Sequence, residues 1–332
     1  MVGAILGVAG FAFEQAHSDW RPLATRTALG WRVSQPILGI NEPVMAGDHL
    51  AWQSGPYTIT MDLRSGRSRL IGNAGDAQSL TPPAVSPDAT LWLQYTPGAQ
   101  EKTLIYAYDF SSHRRQLLLE TEAQLDMPVV AGDTVYWLRG QGSATAVVGC
   151  DIVSGRRRVL ASGSGLGPFL LADGALVAWS HRGQPTAPLN LTVLDTGSGT
   201  TTDFALPGQT PGAIFVPPTL ANGALVWMRV DRQSTAATIC TYDLRTLAAR
   251  QIVTARALVA PGFDGATVVW AQPAQDGGTS EVVMGERLAG GAPFPIARVP
   301  DGVQSVMVSG ERVAWWVGRG SSSWVGVSRL PR

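Results

Sequence analysis

Four histidines, two cysteines and a recurring set of aspartates are the side chains from which this sequence could assemble a catalytic or metal centre. His17, His49, His113 and His181 stand far apart, and none belongs to a His-x-x-x-His pair. Cys150 and Cys240 make no Cys-x-x-Cys motif and are too few for a disulfide framework. Each sits in an apolar run and reads as a small core residue, not as a zinc ligand or half of a bridge. No Gly-x-Ser-x-Gly elbow or P-loop occurs, and Gly163-Ser164-Gly165-Leu166-Gly167 lacks dinucleotide-binding spacing and a following helix. The sequence therefore predicts no catalytic residue, no metal and no cofactor. Asp62, Asp109, Asp151, Asp195 and Asp243 recur one per unit, each at the end of a β-type run before a turn. Such aspartates could hold calcium, but one carboxylate per unit at a fixed position reads as a cap on the turn that follows.

Arginine is distributed less evenly. Of 25 cationic residues only Lys102 is lysine. Arg64, Arg67 and Arg69, then Arg114 and Arg115, then Arg156, Arg157 and Arg158 fall at or in the last strands of three successive units. Two readings stay open: charge that protects outer-edge strands, and an arginine-rich side facing an acidic partner surface or anionic lipid headgroups. The balance of 25 cations against 25 anions excludes a bulk electrostatic nucleic-acid binder. It also excludes an acidic disordered tail.

The elements that must position these residues repeat. Trp52, Trp92, Trp137, Trp179, Trp227, Trp270 and Trp315 each close a short β-type run, at intervals of 40, 45, 42, 48, 43 and 45 residues. Before each lies a tight turn, such as Ala46-Gly47-Asp48, Ser86-Pro87-Asp88 or Asn222-Gly223. After each come a variable loop, a second β-type run ending near the aspartate, another turn and a last short strand. Four short antiparallel strands repeated every 40–50 residues are the pattern of a β-propeller blade. The expectation is an all-β propeller of seven four-stranded blades over 43–80, 82–125, 127–165, 167–212, 216–258, 260–299 and 303–332. The seventh unit lacks a fourth strand, and 20–34, with Thr25–Ser34 as the strand, is expected to supply it and close the ring. Six blades plus an irregular piece is the alternative. The tryptophans read as packing between blades.

Ser86-Pro87-Asp88 before Leu91-Trp92, the Asp-Leu-x-Ser-Gly-x-x-x-Leu of Asp62–Leu70 and its looser copy from Asp151 resemble the TolB-type propeller family, within the wider seven-bladed superfamily. The resemblance covers about 290 residues. WD-repeat proteins are less similar, because no Trp-Asp dipeptide ends a strand. In quinoprotein dehydrogenases the docking Trp follows the Asp-turn element, whereas here it precedes it.

Residues 1–19 stand apart. Met1–Phe13 is apolar but shorter than the ~20 residues of a membrane-spanning helix. Three readings stay open for it: a degenerate signal or half-inserted membrane anchor, a segment that docks into a partner protein, or a fold back onto its own domain; Phe11, Phe13 and Trp20 are the candidate partner or lipid contacts. Variable loops at Tyr95–Lys102, His181–Pro188, Val230–Ala236 and Pro273–Ser280 are a further candidate surface. Together these features predict a non-catalytic scaffold with protein partners, an extrinsic subunit of a membrane-associated, extracytoplasmic bacterial assembly. An enzyme or ligand binder using the central channel is one alternative. A periplasmic partner of an envelope system is what the TolB resemblance implies.

Overall fold

The computed structural model describes residues 22–28, 30–35, 40–73, 83–96, 102–121, 125–141, 144–181, 190–205, 214–231, 236–276, 278–300, 302–318 and 322–331. Alternating patterns separated by Gly, Asp and Asn turns give strands and hairpins, as such sequences must. A first hairpin is formed by β1 (Leu23–Thr27) and β2 (Gly30–Ser34). Blade 1 is β3 (Asn41–Ala46), β4 (His49–Ser54), β5 (Tyr57–Asp62) and β6 (Arg67–Asn73). Blade 2 is β7 (Ala84–Val85), β8 (Ala89–Thr96), β9 (Lys102–Asp109) and β10 (Arg114–Thr121). Blade 3 is β11 (Leu125–Ala131), β12 (Thr134–Gln141), β13 (Ala144–Asp151) and β14 (Arg157–Gly163). Blade 4 is β15 (Leu166–Asp173), β16 (Leu176–His181), β17 (Asn190–Asp195) and β18 (Thr201–Ala205). Blade 5 is β19 (Ile214–Ala221), β20 (Ala224–Val230), β21 (Ala236–Asp243) and β22 (Ala248–Arg256). Blade 6 is β23 (Gly262–Phe263), β24 (Thr267–Pro273), β25 (Glu281–Arg287) and β26 (Phe294–Val299). Blade 7 contributes β27 (Val303–Ser309), β28 (Arg312–Val317) and β29 (Trp324–Arg329).

First strands of neighbouring blades touch in succession, and β27 meets β3, so they line the centre of a closed ring. The seven-bladed expectation holds, and the six-bladed alternative does not. Closure comes from β2, which pairs antiparallel with β29 from Gly30↔Ser328 to Ser34↔Trp324. The closing segment is not one strand, however. A turn after Thr27 splits it, and β1 folds back on β2 as a fifth strand of the blade-7 sheet. Gly30 permits this: its φ is 146°, and a Cβ there would strike the Val327 carbonyl. Trp31 anchors the strand to blade 1 by donating its indole N–H to the Leu63 carbonyl at 2.8 Å.

The seven repeated tryptophans lie inside the second strands rather than at their ends, and none is more than 5% exposed. Each joins a different apolar cluster that crosses to the preceding blade. Trp52 packs with Val33, Val325 and Val327 of blade 7. Trp92 meets Ile71 of blade 1, and Trp137 meets Leu91 and Ile105 of blade 2. Trp179 lies with Tyr136 and Val147 of blade 3, and Trp227 with Leu191 and Val193 of blade 4. Trp270 joins Val226 and Ile239 of blade 5, and Trp315 joins Val269 and Val283 of blade 6. An indole buries about 150–250 Å², a gross gain of about 4–6 kcal/mol at about 25 cal/mol per Å².

The room for one of these indoles is set by a glycine. A Cβ at Gly72, on the outer strand of blade 1, would sit 2.7 Å from Nε1 of Trp92. Gly72→Ala is therefore expected to destabilise the fold by about 1–3 kcal/mol through overpacking. Gly140→Ala, with nothing within 4 Å of the added carbon, serves as the control and should stay within about 0.5 kcal/mol of the parent. Urea unfolding of both variants measures the difference.

Candidate functional site

The inner wall of the ring offers little chemistry. Its seven first strands carry Glu42, Asp126 and Asp173 as their only ionisable residues, with no histidine or cation. Asp173 is engaged, since its carboxylate accepts the backbone N–H of Asn222 from the next blade. The three described histidines are not gathered, and His17 lies outside the described residues. His49 stacks on Phe110 at 3.6 Å between centroids, and burial pushes its pKa down. His113 meets the Tyr108 hydroxyl at 3.3 Å, while His181 lies 3.6 Å from Asp203 in blade 4. Cys150 and Cys240 are free thiols in blades 3 and 5. Among the described residues no three His, Cys, Asp or Glu side chains come together as a metal site would require.

The recurring aspartates cap turns. Asp62 accepts the N–H of Arg64 at 2.7 Å, and Asp109 that of Ser112 at 2.6 Å. Asp151 accepts from Ser154 at 2.6 Å, Asp195 from Gly197 at 2.8 Å and Asp243 from Arg245 at 2.7 Å. Backbone donors stabilise the ionised form, so the Asp109, Asp151, Asp195 and Asp243 carboxyls are held below the usual range. For Asp62 partial burial pushes upward, and the donors from Arg64 and Ser65 outweigh it.

The arginines occupy the outside of the ring. Arg67 and Arg69 lie on β6, Arg114 and Arg115 on β10, and Arg157 and Arg158 on β14; Arg64 and Arg156 sit in the turns that lead there. All eight are exposed. Arg64 pairs with Asp48, which also holds Arg312 of blade 7. Arg115 lies 5.2 Å above the Tyr106 ring. Arg67, Arg69, Arg114, Arg156, Arg157 and Arg158 have no ion-pair partner among the described residues.

Other outer strands also carry arginine, and what the sequence does not show is which of these are paired. Arg250 of blade 5 pairs with the buried Glu286 of blade 6, Arg298 of blade 6 pairs with Asp276, and Arg32 lies over Trp324 at 4.4 Å. Blade 4 has none on β18. Arg26 on β1 and Arg256 on β22 are likewise exposed without an ion-pair partner among the described residues, so the sector over blades 1–3 differs from the rest of the rim in the number of its arginines. Phe11, Phe13 and Trp20 fall outside the described residues, as do most of the four variable loops. Among the described residues no helix is long and apolar enough to cross a membrane.

Solved structures share this architecture. An oligogalacturonate lyase in complex with manganese aligns with a TM-score of 0.63 and 13% identity, over 94% of this chain and 96% of its own. The β-propeller domain of the Trilobed protease from Pyrococcus furiosus, described as having an open velcro topology, aligns at 0.58 and 12%, over 83% and 88%. TolB from Acinetobacter baumannii aligns at 0.49 and 12%, over 92% and 78%. The chain is a seven-bladed β-propeller. No known protein family and no curated protein matches the sequence. Since a lyase and a protease domain share the fold, the fold by itself leaves both catalysis and binding open.

The capped aspartates make a pH prediction. Their folded pKa values lie below the ordinary 3.8. Their contribution is thus complete above that value and is lost as pH falls through the folded values. The Asp109→Asn/Asp243→Asn double variant should be less stable than the parent at about pH 7, and the gap should narrow toward about pH 3. Urea midpoints at both pH values check this.

Proposed function

We propose that this propeller is a non-catalytic scaffold for protein–protein interaction, an extrinsic subunit of a membrane-associated, extracytoplasmic bacterial assembly. The observation that carries the reading is the sector of eight exposed arginines at the outer strands of blades 1–3, six of them without an ion-pair partner among the described residues. Guanidinium groups without an ion-pair partner among the described residues are available to a partner's carboxylates, in bidentate geometry. The inner wall supports the same reading, because its few ionisable groups are all acidic and include no histidine base. The apolar Met1–Phe13 run, with Trp20 behind it, supplies the contact with the membrane surface in this arrangement.

The test is affinity capture of the full chain from detergent-solubilised membranes, followed by mass spectrometry. The parent should retain a defined partner whose capture weakens with salt. The Arg67→Glu/Arg69→Glu/Arg114→Glu variant should lose at least about tenfold of it, since like-charge contact costs several kcal/mol. Deletion of residues 1–13 should release the complex from the membrane fraction. Monomeric, partner-free behaviour of the parent and the deletion variant alike would sink the proposal.

A further inference from the structure

One turn of blade 5 departs from its counterparts. Four residues after the capping aspartate the backbone is left-handed, and glycine fills that position in blades 1, 3 and 4 as Gly66, Gly155 and Gly199. Blade 2 has His113 there, which meets the Tyr108 hydroxyl. Blade 5 has Leu247, at a φ of 57° and 60% exposed. A bulky side chain is costly in that conformation, and an exposed apolar one gains little. Leu247 lines a hollow of about 430 Å³ between blades 4 and 5, within the range of about 300–1,000 Å³ for small-molecule sites. The other apolar walls are Leu176, Val193 and Phe204 of blade 4 and Leu244 of blade 5. These four belong to the cluster around Trp227, so they face the same gap between the two blades.

The polar end of the hollow is built around the two-residue turn Asn222–Gly223. On one side, Oδ2 of Asp173 in blade 4 accepts the Asn222 N–H at 2.5 Å. On the other, Arg245 lies beside Gly223, where a Cβ would sit 3.6 Å from the arginine Nε. The blade-1 counterpart of Arg245 is Arg64, because Leu63 donates its N–H to the Asp48 carbonyl as Leu244 does to that of Gly223. Arg64 pairs with the Asp48 side chain. Glycine at the corresponding place in blade 5 leaves Arg245 without an ion-pair partner among the described residues. Asp243 attracts it, but that carboxylate is committed to the N–H groups of Arg245 and Thr246. Asp195, also on the wall, is committed to those of Gly197 and Ser198. A guanidinium and a carboxylate thus flank one turn without pairing to each other, beside an apolar wall.

A ligand that satisfies both groups carries a carboxylate, an ammonium and an apolar substituent on one carbon. We propose that the hollow between blades 4 and 5 binds a free α-amino acid with an apolar side chain. Its carboxylate meets Arg245, its ammonium meets Asp173, and its side chain lies against Phe204, Leu176 and Leu247. Such a ligand is dipolar and brings no net charge into a hollow that already holds both signs. This goes beyond the scaffold reading and requires neither the arginine sector nor a protein partner.

The test is calorimetric titration of the full chain with L-phenylalanine and L-leucine. Phenethylamine lacks the carboxylate, 3-phenylpropionate lacks the ammonium and glycine lacks the apolar group. At least one of the two amino acids is expected to bind, and each of the three comparison compounds should bind about tenfold more weakly. Arg245→Gln should cost the amino acid about tenfold and leave phenethylamine unchanged. Asp173→Asn should do the same while sparing 3-phenylpropionate. Leu247→Gly should weaken the amino acid without lowering the melting temperature, since glycine suits that backbone. Arg64→Gln, at the matching place in blade 1, should leave binding unchanged, and melting temperatures verify that each variant folds. The proposal is overturned if neither amino acid binds, if phenethylamine or 3-phenylpropionate binds as tightly, or if Arg64→Gln loses as much as Arg245→Gln.

Discussion

The packing of one indole into each junction between blades is the interaction on which the rest of this structure depends. A blade is a small twisted sheet with two faces, and neither can face water along its whole length. In a closed ring each face is covered by the neighbouring blade, so stability rests on filling the gaps between sheets rather than on any single core. The clusters at the seven junctions each contain one of the repeated tryptophans. Their role is filling volume: the indole N–H groups of Trp52, Trp92, Trp137, Trp227 and Trp315 find no acceptor among the described residues, while Trp270 reaches Gln272. A polar handle that goes unused at five positions says that shape and apolar area set the residue type.

The same constraint explains why the two ends of the described chain are joined. A ring packed by nearest neighbours has no preferred starting point, but its last junction must be made by segments distant in sequence. Here β2 and β29 share a sheet, and Trp52 packs on residues drawn from both. Polar contacts reinforce that junction: the Ile40 N–H donates to the Ser323 hydroxyl at 2.7 Å, and that of Gly47 donates to Ser309 at 2.7 Å. Asp48 holds Arg312 across the seam. Contacts between residues so far apart in the chain carry a high loop-closure cost and form late. It is physically consistent that this junction has both apolar and ionic fastening.

Much of the architecture was legible because it repeats. Seven tryptophans at near-constant intervals betray a unit, and a seventh unit one strand short implies a donor elsewhere, which β2 is. The aspartate caps were legible because turn and cap lie within a few residues of each other. The split of the closing segment was harder to read. Ala28-Leu29-Gly30 reads as strand by composition, and the break depends on Gly30 passing against Val327, almost 300 residues away. Ion pairing was hidden for the same reason. Arg64 and Arg67 look equivalent in sequence, yet Asp48 meets one and not the other. Likewise, Arg250 is neutralised by Glu286, a residue of the next blade. The outer-strand arginines were visible as residues, but which of them remain free is a property of neighbouring blades.

A net charge of zero describes this surface poorly. Cations and anions cancel over the whole chain, so its long-range field is weak. Screening reduces electrostatics to local contacts within about 8 Å at physiological ionic strength. On that scale a partner meets one sector of the rim, not the average of the molecule. The choice of arginine over lysine sharpens the point. Protection of an edge strand needs only charge, for which lysine is the usual residue, yet all but one of the cations here are arginine. A planar guanidinium adds directed, paired hydrogen bonds and stacking on aromatic rings. Arg32 over Trp324 and Arg115 over Tyr106 use the stacking, and Arg250 with Glu286 uses the pairing to fasten blades. The three consecutive arginines of blade 3 have the same capacity, and within the described residues only the attraction between Arg156 and the Asp151 carboxylate draws on it.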